Sequence, residues 1–532
     1  MIDIKEDSSP FMATPNSVTR RDFIRTAADA GAVIPLVGAF GTAAASAASK
    51  PQATIKPLFR VGMNKPLHAV GPYTTEDQGG LGLLGQAGEY LAFSNNSFEL
   101  EPRVAESWKA SKGSTVWTFK IRKGITFHNG KKLTAKDVVD TFTKHLNPTN
   151  KSQAAGALKG VVRSENIIAL DANTVRFTLD APTGGFPFIV SSDTYNLIIL
   201  PSAWRSNWTD NFIGCGPWIL EKYTLGESAL FKRNPNYWDT TRQPSFAKMK
   251  CTFFTLGSTA TAQLLAGQLD AITFIEATSA KTLPKSKFTL QIANTLTHLQ
   301  VHMNCKSGPF VDKRVRMAAA LTLDRPGIIT GLLEGFGDLG NDGPMAWAYA
   351  TTDRTVAQRK KDVAKAKTLM AAAGVPNGFT VTLESFKRDD IVKLGQVIKS
   401  SFAEIGITVN LNITEGYGYY DFAWLNSNLG ITDYGHRGIP NVYLNRAFKS
   451  TGDWSAAHYN SPAFDAAADR FMKTADFTKQ RVASKEIQTI LLADTPIVIS
   501  YFANTITVVK KRTTGFRTTG MGHFDAAGTK FI

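Results

Sequence analysis

Two helical stretches, each closed by a glycine, alternate with two apolar strands between residues 363 and 411, and this order leaves few folds open. Residues 363–373 carry a helical pattern that stops at Gly374, with Pro376 and Gly378 just beyond. Thr380-Val381-Thr382-Leu383 then reads as a strand, residues 391–405 as a helix stopping at Gly406, and Ile407 to Leu411 as the next strand. Strand, helix and strand at this spacing predict a βαβ unit, hence an α/β fold with a partly parallel sheet.

Elsewhere the text is mixed. Val116 to Arg122 alternates with period two, as a half-buried strand does. Asn129-Gly130 marks a tight turn, and Thr134 with Asp137 three residues on forms a capping box opening a helix. Val138, Val139, Phe142 and His145 share one face of that helix. Strands are expected at 175–179, 229–233 and 271–274, and helices at 258–266, 314–323 and 462–493. A last strand is expected at 497–501. At 532 residues the chain is long enough for three to four domains.

With 43% apolar and 20% charged residues the chain is a folded globular one, not a disordered one. Its net charge of +16 is spread along the chain with no long basic block, so a basic surface is expected rather than a nucleic-acid-binding tail. The three cysteines, Cys215, Cys251 and Cys305, make no disulfide scaffold and no C-x-x-C motif. Cys251 and Cys305 stand in strand-like text, where a single bridge between them is left open.

The N-terminus reads as an export signal. Arg20-Arg21-Asp22-Phe23-Ile24 precedes a small and apolar run from Ala27 to Ala48, and Ala45-Ser46-Ala47 fits a cleavage site. The arginine pair is of the twin-arginine type. The strongly apolar part is far shorter than the roughly 18 to 20 residues that span a bilayer. A cleaved chain stays basic, because residues 1–47 hold four basic and five acidic residues.

Catalytic hooks are missing: no P-loop, no G-x-S-x-G elbow and no H-E-x-x-H occurs. Gly80-Leu81-Gly82-Leu83-Leu84-Gly85 has the letters of a dinucleotide loop without the preceding strand. His298 and His302 flank Leu299-Gln300-Val301, but apolar residues alternate there, so the segment is a strand. Four residues of strand separate the imidazoles by about 13 Å, too far for one ion. A solvated or interface face of His298, Gln300 and His302 is expected instead. The densest polar stretch is Asn428 to Asn441, after an apolar strand. There Asp433 can anchor an amine, Arg437 a carboxylate with His436 beside it, and Tyr434 can supply a flat wall. No cofactor and no metal is called for.

Several segments together resemble the extracytoplasmic solute-binding proteins of ABC importers, family 5, the dipeptide, oligopeptide and nickel class. They are Ala105-Glu106-Ser107-Trp108, Trp117-Thr118-Phe119 and Arg122 to Gly130, with Leu133 to Val139 following. Gly214-Cys215-Gly216-Pro217-Trp218, Arg233 to Trp238, Leu265 to Asp270, Phe310 to Arg316 and Leu323-Asp324-Arg325 continue the match in order. Thr432-Asp433-Tyr434 and Ala457 to Asp465 resemble the oligopeptide-binding branch, in which the Asp receives the peptide's amino group. Gly430-Ile431 and the longer Gly435-His436-Arg437-Gly438-Ile439-Pro440 depart from that branch, so the resemblance also admits an amino acid conjugate or an opine-like solute.

The resemblance implies a two-lobe periplasmic-binding-protein fold of type II with an extra α+β subdomain in lobe one. It implies a signal at 1–47, lobe one at 48–300 and 498–532 with the subdomain at about 96–212, and lobe two at 301–497. The ligand, a peptide or related zwitterion or anion, sits between the lobes near Asp433, Tyr434, His436 and Arg437. The closed form of a monomer then docks on permease subunits at the membrane, with no enzyme activity. An exported hydrolase of peptides or conjugates is the alternative, and it needs a nucleophile–base pair or a metal. A third class, a basic protein binding nucleic acid or anionic polysaccharide, would lose affinity steeply with salt. The export reading has its own test: replacing Arg20 and Arg21 by Lys should leave precursor in the cytoplasm, whereas mature protein in the periplasm at normal yield refutes the twin-arginine route.

Overall fold

Three sheets, each with its own core, organise the chain. The computed structural model describes residues 56–532 except 68, 76, 205–207, 210–211 and 416–417. The expected signal, Arg20-Arg21 and the Ala45–Ala47 cleavage site lie outside the described residues.

The first sheet has seven strands, in the order Phe288–Ala293, Thr505–Lys510, Ala271–Ile272, Lys56–Asn64, Phe246–Phe254, Ser228–Arg233 and Trp218–Thr224. Its centre is parallel, with Lys56–Asn64 flanked by Phe246–Phe254 and Ala271–Ile272. The glycine-rich stretch thought to lack a strand before it is the buried helix Gln78–Ala87, the first element after Lys56–Asn64. A side chain at Gly80 would meet Thr75 at 2.7 Å, which accounts for that glycine by packing rather than by a phosphate.

The second sheet is antiparallel: Ala105–Ser111, Val116–Ile121, Thr174–Leu179 and Val162–Asp171. Trp117, Phe119 and Ile121 point into its core, meeting Val138 and Phe142 from the helix Ala135–Leu146. The capping box forms as read, with the Thr134 amide donating to Asp137 Oδ2 at 2.8 Å. Asp137 Oδ1 also accepts from the Ser202 amide and hydroxyl, both at 2.8 Å, so one carboxylate caps the helix and ties it to a distant loop.

The third sheet has five strands, in the order Thr408–Thr414, Thr380–Phe386, Leu429–Tyr434, His298–Met303 and Ile497–Ile499. It contains the βαβ unit: Thr380–Phe386 and Thr408–Thr414 pair in parallel, joined by the helix Asp389–Ala403. Gly374 and Gly406 adopt φ of +81° and +83°, the left-handed conformation that ends a helix cheaply only with glycine.

Several expectations need correction. The helix expected at 462–493 is two helices, Pro462–Lys473 and Phe477–Asp494. Asp476 starts the second by accepting from the Thr478 and Lys479 amides, a cap that outweighs the continuous helical pattern. The expected strand 497–501 is split. Ile497–Ile499 belongs to the five-stranded sheet, whereas Tyr501–Ala503 pairs with Gly337–Leu339. The boundaries expected at 300/301 and 497/498 therefore fall inside the five-stranded sheet. Sheet membership changes instead between Ala293 and His298 and between Ile499 and Thr505. Apolar strand text does not say which sheet supplies its hydrogen-bond partners. His298, Gln300 and His302 are all buried, not solvated: the rings of Tyr434, Tyr443 and Phe502 surround His298, and His302 is hydrogen-bonded to the Ser427 hydroxyl at 2.9 Å. All three cysteines are free thiols, Cys251 within the seven-stranded sheet and Cys305 just beyond a strand of the five-stranded one.

Asp342 shows how the motif Leu323-Asp324-Arg325 is used. Its carboxylate is 0% exposed and accepts from Arg325 at 2.7 and 2.8 Å and from Arg359 at 2.7 Å. Removing the carboxylate leaves two buried guanidinium groups without their counter-charge. Asp342→Ala should cost about 3–5 kcal/mol, read as a lowered denaturant midpoint at unchanged slope. A midpoint equal to wild type would show that the cluster contributes little.

Candidate functional site

Parallel strands in an open α/β sheet end at one edge, and ligands bind in the crevice outside their carboxyl ends. In the five-stranded sheet that edge collects Phe386, Thr414 and Tyr434, with His298 entering antiparallel beside Tyr434. All four residues predicted as a site lie at this edge or just past it. The structure does not bring them to one point.

Asp433 and Tyr434 are consecutive on a strand, so they face opposite sides of the sheet. Asp433 lies over a wall of aromatic rings: Phe386 and Tyr420 have centroids 5.4 Å apart, and Tyr420 and Trp424 5.3 Å. Both its oxygens are engaged. Oδ2 accepts from an Arg388 terminal nitrogen at 2.6 Å, and Oδ1 accepts from the Tyr420 hydroxyl. Burial, with the Asp433 charge next, pushes the Tyr420 phenol well above its ordinary range, so it stays a donor. Arg388 also spans Asp390, through Nε at 2.7 Å and its other terminal nitrogen at 3.0 Å. The Asp433 and Arg388 side chains are 34% and 41% exposed, so solvent reaches the pair.

Tyr434 is buried on the other face. Its ring stacks on His298 with centroids 5.3 Å apart and 12° between planes. Tyr443 stands edge-on to it at 5.9 Å. His436 turns inward too: Nδ1 accepts from the Leu296 amide at 3.1 Å, and its ring lies 5.2 Å from Phe98. Burial, with Arg437 and His523 adding, pushes the imidazole down to about 3. His436 is therefore a neutral acceptor, so of His436 and Arg437 only the arginine is a cation. Arg437 donates to the His436 carbonyl at 2.9 Å, while its own carbonyl accepts from the Tyr349 hydroxyl at 2.8 Å.

Next to Arg437 stands Asp193, which the sequence did not single out. Burial pushes its carboxyl up to about 7, with the Arg437 cation among the influences pulling it back. A side chain at Gly438 would lie 1.7 Å from an Asp193 oxygen, and one at Gly185 would lie 2.5 Å from Ile439. Gly438 and Gly185 thus let this segment close against residues 185–193. Arg388 was missed as well, although its place just past the strand Thr380–Phe386 was a readable signal under the same edge rule. Among the described residues no group of three or more His, Cys, Asp or Glu can hold a metal, and no helix is long and apolar enough to cross a membrane.

Residues 99–456 match the bacterial extracellular solute-binding proteins, family 5 (Middle). The chain belongs to that family. Haem-binding protein A of Haemophilus influenzae is 25% identical over 441 residues, 76% of this chain and 79% of that protein. Di/tripeptide-binding protein 1 of Pseudomonas aeruginosa is 25% identical over 478 residues, 81% of this chain and 86% of that one. The solved structure of HbpA2 from Haemophilus parasuis superposes with a TM-score of 0.78 at 20% identity, covering 89% of this chain and all of that one. The protein therefore has the two-lobe α/β fold of type II periplasmic binding proteins. It is an ABC importer's substrate-binding protein, not an enzyme, and works outside the cytoplasm.

Buried neutral histidines give this protein a pH response. Burial lowers His436 and His302 to about 3 and His298 to about 4, against 6.5 for an ordinary imidazole. An unfolded chain takes up protons below 6.5 that the folded one refuses, so stability is full above that pH. It falls as pH drops toward 3, by about 1.4 kcal/mol per pH unit for each such histidine. His436→Asn keeps an acceptor for the Leu296 amide but cannot titrate. Its unfolding free energy between pH 6.5 and 4.5 should fall less steeply than wild type by about that slope; an unchanged slope would mean His436 is protonated in the fold.

Proposed function

We propose that this binding protein captures a small zwitterion, a short peptide or an amino acid conjugate, with Asp433 on its ammonium group and Arg388 on its carboxylate. The observation that carries this reading is the solvent-reached Asp433–Arg388 pair over the aromatic wall at the carboxyl edge of the five-stranded sheet. A zwitterion brings one charge of each sign. Exchanging the internal pair for two pairs with the ligand leaves both Asp433 and Arg388 with a counter-charge, while Asp390, also on Arg388, stays in reach of water. Phe386, Tyr420 and Trp424 supply apolar area for a side chain or spacer.

Relatives' names support a ligand class no narrower than this, since they include haem and di- and tripeptides. Tyr434 and His436 act in this reading as supports: Tyr434 stacks on His298, and His436 holds the Leu296 amide at the crossing between sheets. Arg437 is the cation that faces the opposite lobe. The lobes meet at the two crossings, 294–297 and 500–504, and residues 105–179 with their helix form the subdomain of lobe one. Twin-arginine export with cleavage near Ala47, and a monomeric working state, complete the proposal.

Calorimetric titration with a panel of di- and tripeptides, paired with melting curves, tests the anchor. Leaving one charge of an enclosed pair alone costs about 2–5 kcal/mol. Asp433→Asn should therefore weaken binding roughly 30-fold or more with little change in ligand-free melting temperature. Arg388→Gln should weaken free-acid peptides more than their C-terminal amides. A lowered melting temperature with affinity kept in Asp433→Asn would make Asp433 a brace for its own strand end and remove it from the site.

A further inference from the structure

The opposite edge of the five-stranded sheet holds a cavity of about 690 Å³. His298–Met303 pairs with Leu429–Tyr434 from His298 at Tyr434 to Met303 at Leu429, and Cys305 lies two residues past that far end. Six residues of strand put the Cys305 wall of the cavity about 20 Å from the edge that bears Asp433. It is a separate place on the protein, and its size is that of a ligand pocket.

Arg316, only 5% exposed, lines it. Three backbone carbonyls hold the guanidinium rigidly: Nε donates to Asp494 at 2.9 Å, and one terminal nitrogen donates to Phe310 at 2.7 Å and Val311 at 2.8 Å. These bonds leave the other terminal nitrogen without a partner among the described residues. The Ser455 hydroxyl, also lining the cavity, is enclosed and has no hydrogen-bond partner. Lys306 stands exposed at the same cavity with no partner for its ammonium among the described residues.

The two carboxylates of the lining are already engaged. Asp494 accepts from Tyr459 at 2.7 Å and from Lys313 at 3.3 Å. Asp453 accepts from Arg446 Nε at 2.8 Å and from a second Arg446 nitrogen. What remains unsatisfied is cationic or hydrogen-bond donating. Burial pushes the Cys305 thiol up to about 11, while the Arg316 cation acts in the opposite sense and the Asp494 carboxylate adds to it. The guanidinium field therefore reaches the cavity wall at Cys305.

We propose that this cavity is a second ligand site, taking a small solute through a carboxylate or phosphate group held by Arg316, Lys306 and Ser455. A preset guanidinium with a spare N–H edge forms short, charge-assisted bonds to such an oxyanion and pays little ordering entropy to do so.

Cys305 reports on the site, because it lines the cavity while Cys215 and Cys251 are buried. The exported, folded protein is labelled with an anionic and with a cationic thiosulfonate, and modification is followed by mass spectrometry. The anionic reagent should react about tenfold faster or more. Citrate or inorganic phosphate at millimolar concentration should slow it, and whichever protects better names the group. Lys306→Glu, a surface change that spares the buried Arg316, should abolish both the preference and the protection at unchanged melting temperature. Equal rates for the two reagents with no protection by either anion overturn the site. If neither reagent reacts, calorimetry with citrate and with phosphate decides, and absence of binding heat for both overturns it.

Discussion

The antiparallel register between His298–Met303 and Leu429–Tyr434 is the constraint on which the sheet edge bearing Asp433 depends. Pairing His298 with Tyr434 and Leu299 with Asp433 decides which side of the sheet each residue serves. A slip by one residue would send Asp433 into the aromatic layer around His298 and Tyr434 out to Arg388. The same strand follows the crossing at 294–297, and the His436 imidazole clamps the Leu296 amide there. One ladder of hydrogen bonds thus sets the side of the sheet for Asp433 and for Tyr434, and its strand begins just past the crossing between sheets.

Charge is handled differently in three parts of the fold. In the core, Asp342 is enclosed with two arginines, an arrangement that works only because every member has a partner. At the crossing, His436 and His298 are kept neutral by burial, so their ring nitrogens act as fixed hydrogen-bonding groups at ordinary pH. At the exposed edge, Arg388 is shared between Asp433 and Asp390, and the group remains within reach of water. Only the last arrangement can exchange partners at low cost, which is the property a reversible binding protein needs.

Similarity to family 5 proteins extends over the middle of the chain and is matched by the fold of HbpA2. Relatives at about one quarter identity carry names for ligands as unlike as haem and dipeptides. One family thus carries names for chemically unlike ligands at about one quarter identity.

Much of this was legible from residues alone. Period-two alternation at Trp117, Phe119 and Ile121, the Thr134–Asp137 box and the glycine stops at 374 and 406 are local signals, because each rests on backbone geometry within a few residues. Their order determined the α/β class and the βαβ unit, and the run of motifs from Ala105 to Arg325 indicated the family. Tertiary structure alone decided which sheet receives His298–Met303 and Ile497–Ile499, since an apolar strand does not encode its partner. It also decided that Arg388, 45 residues before Asp433 in the chain, lies against it, and that His436 is buried and uncharged. Those outcomes depend on contacts between distant segments and on the water they exclude, and neither is written in local sequence.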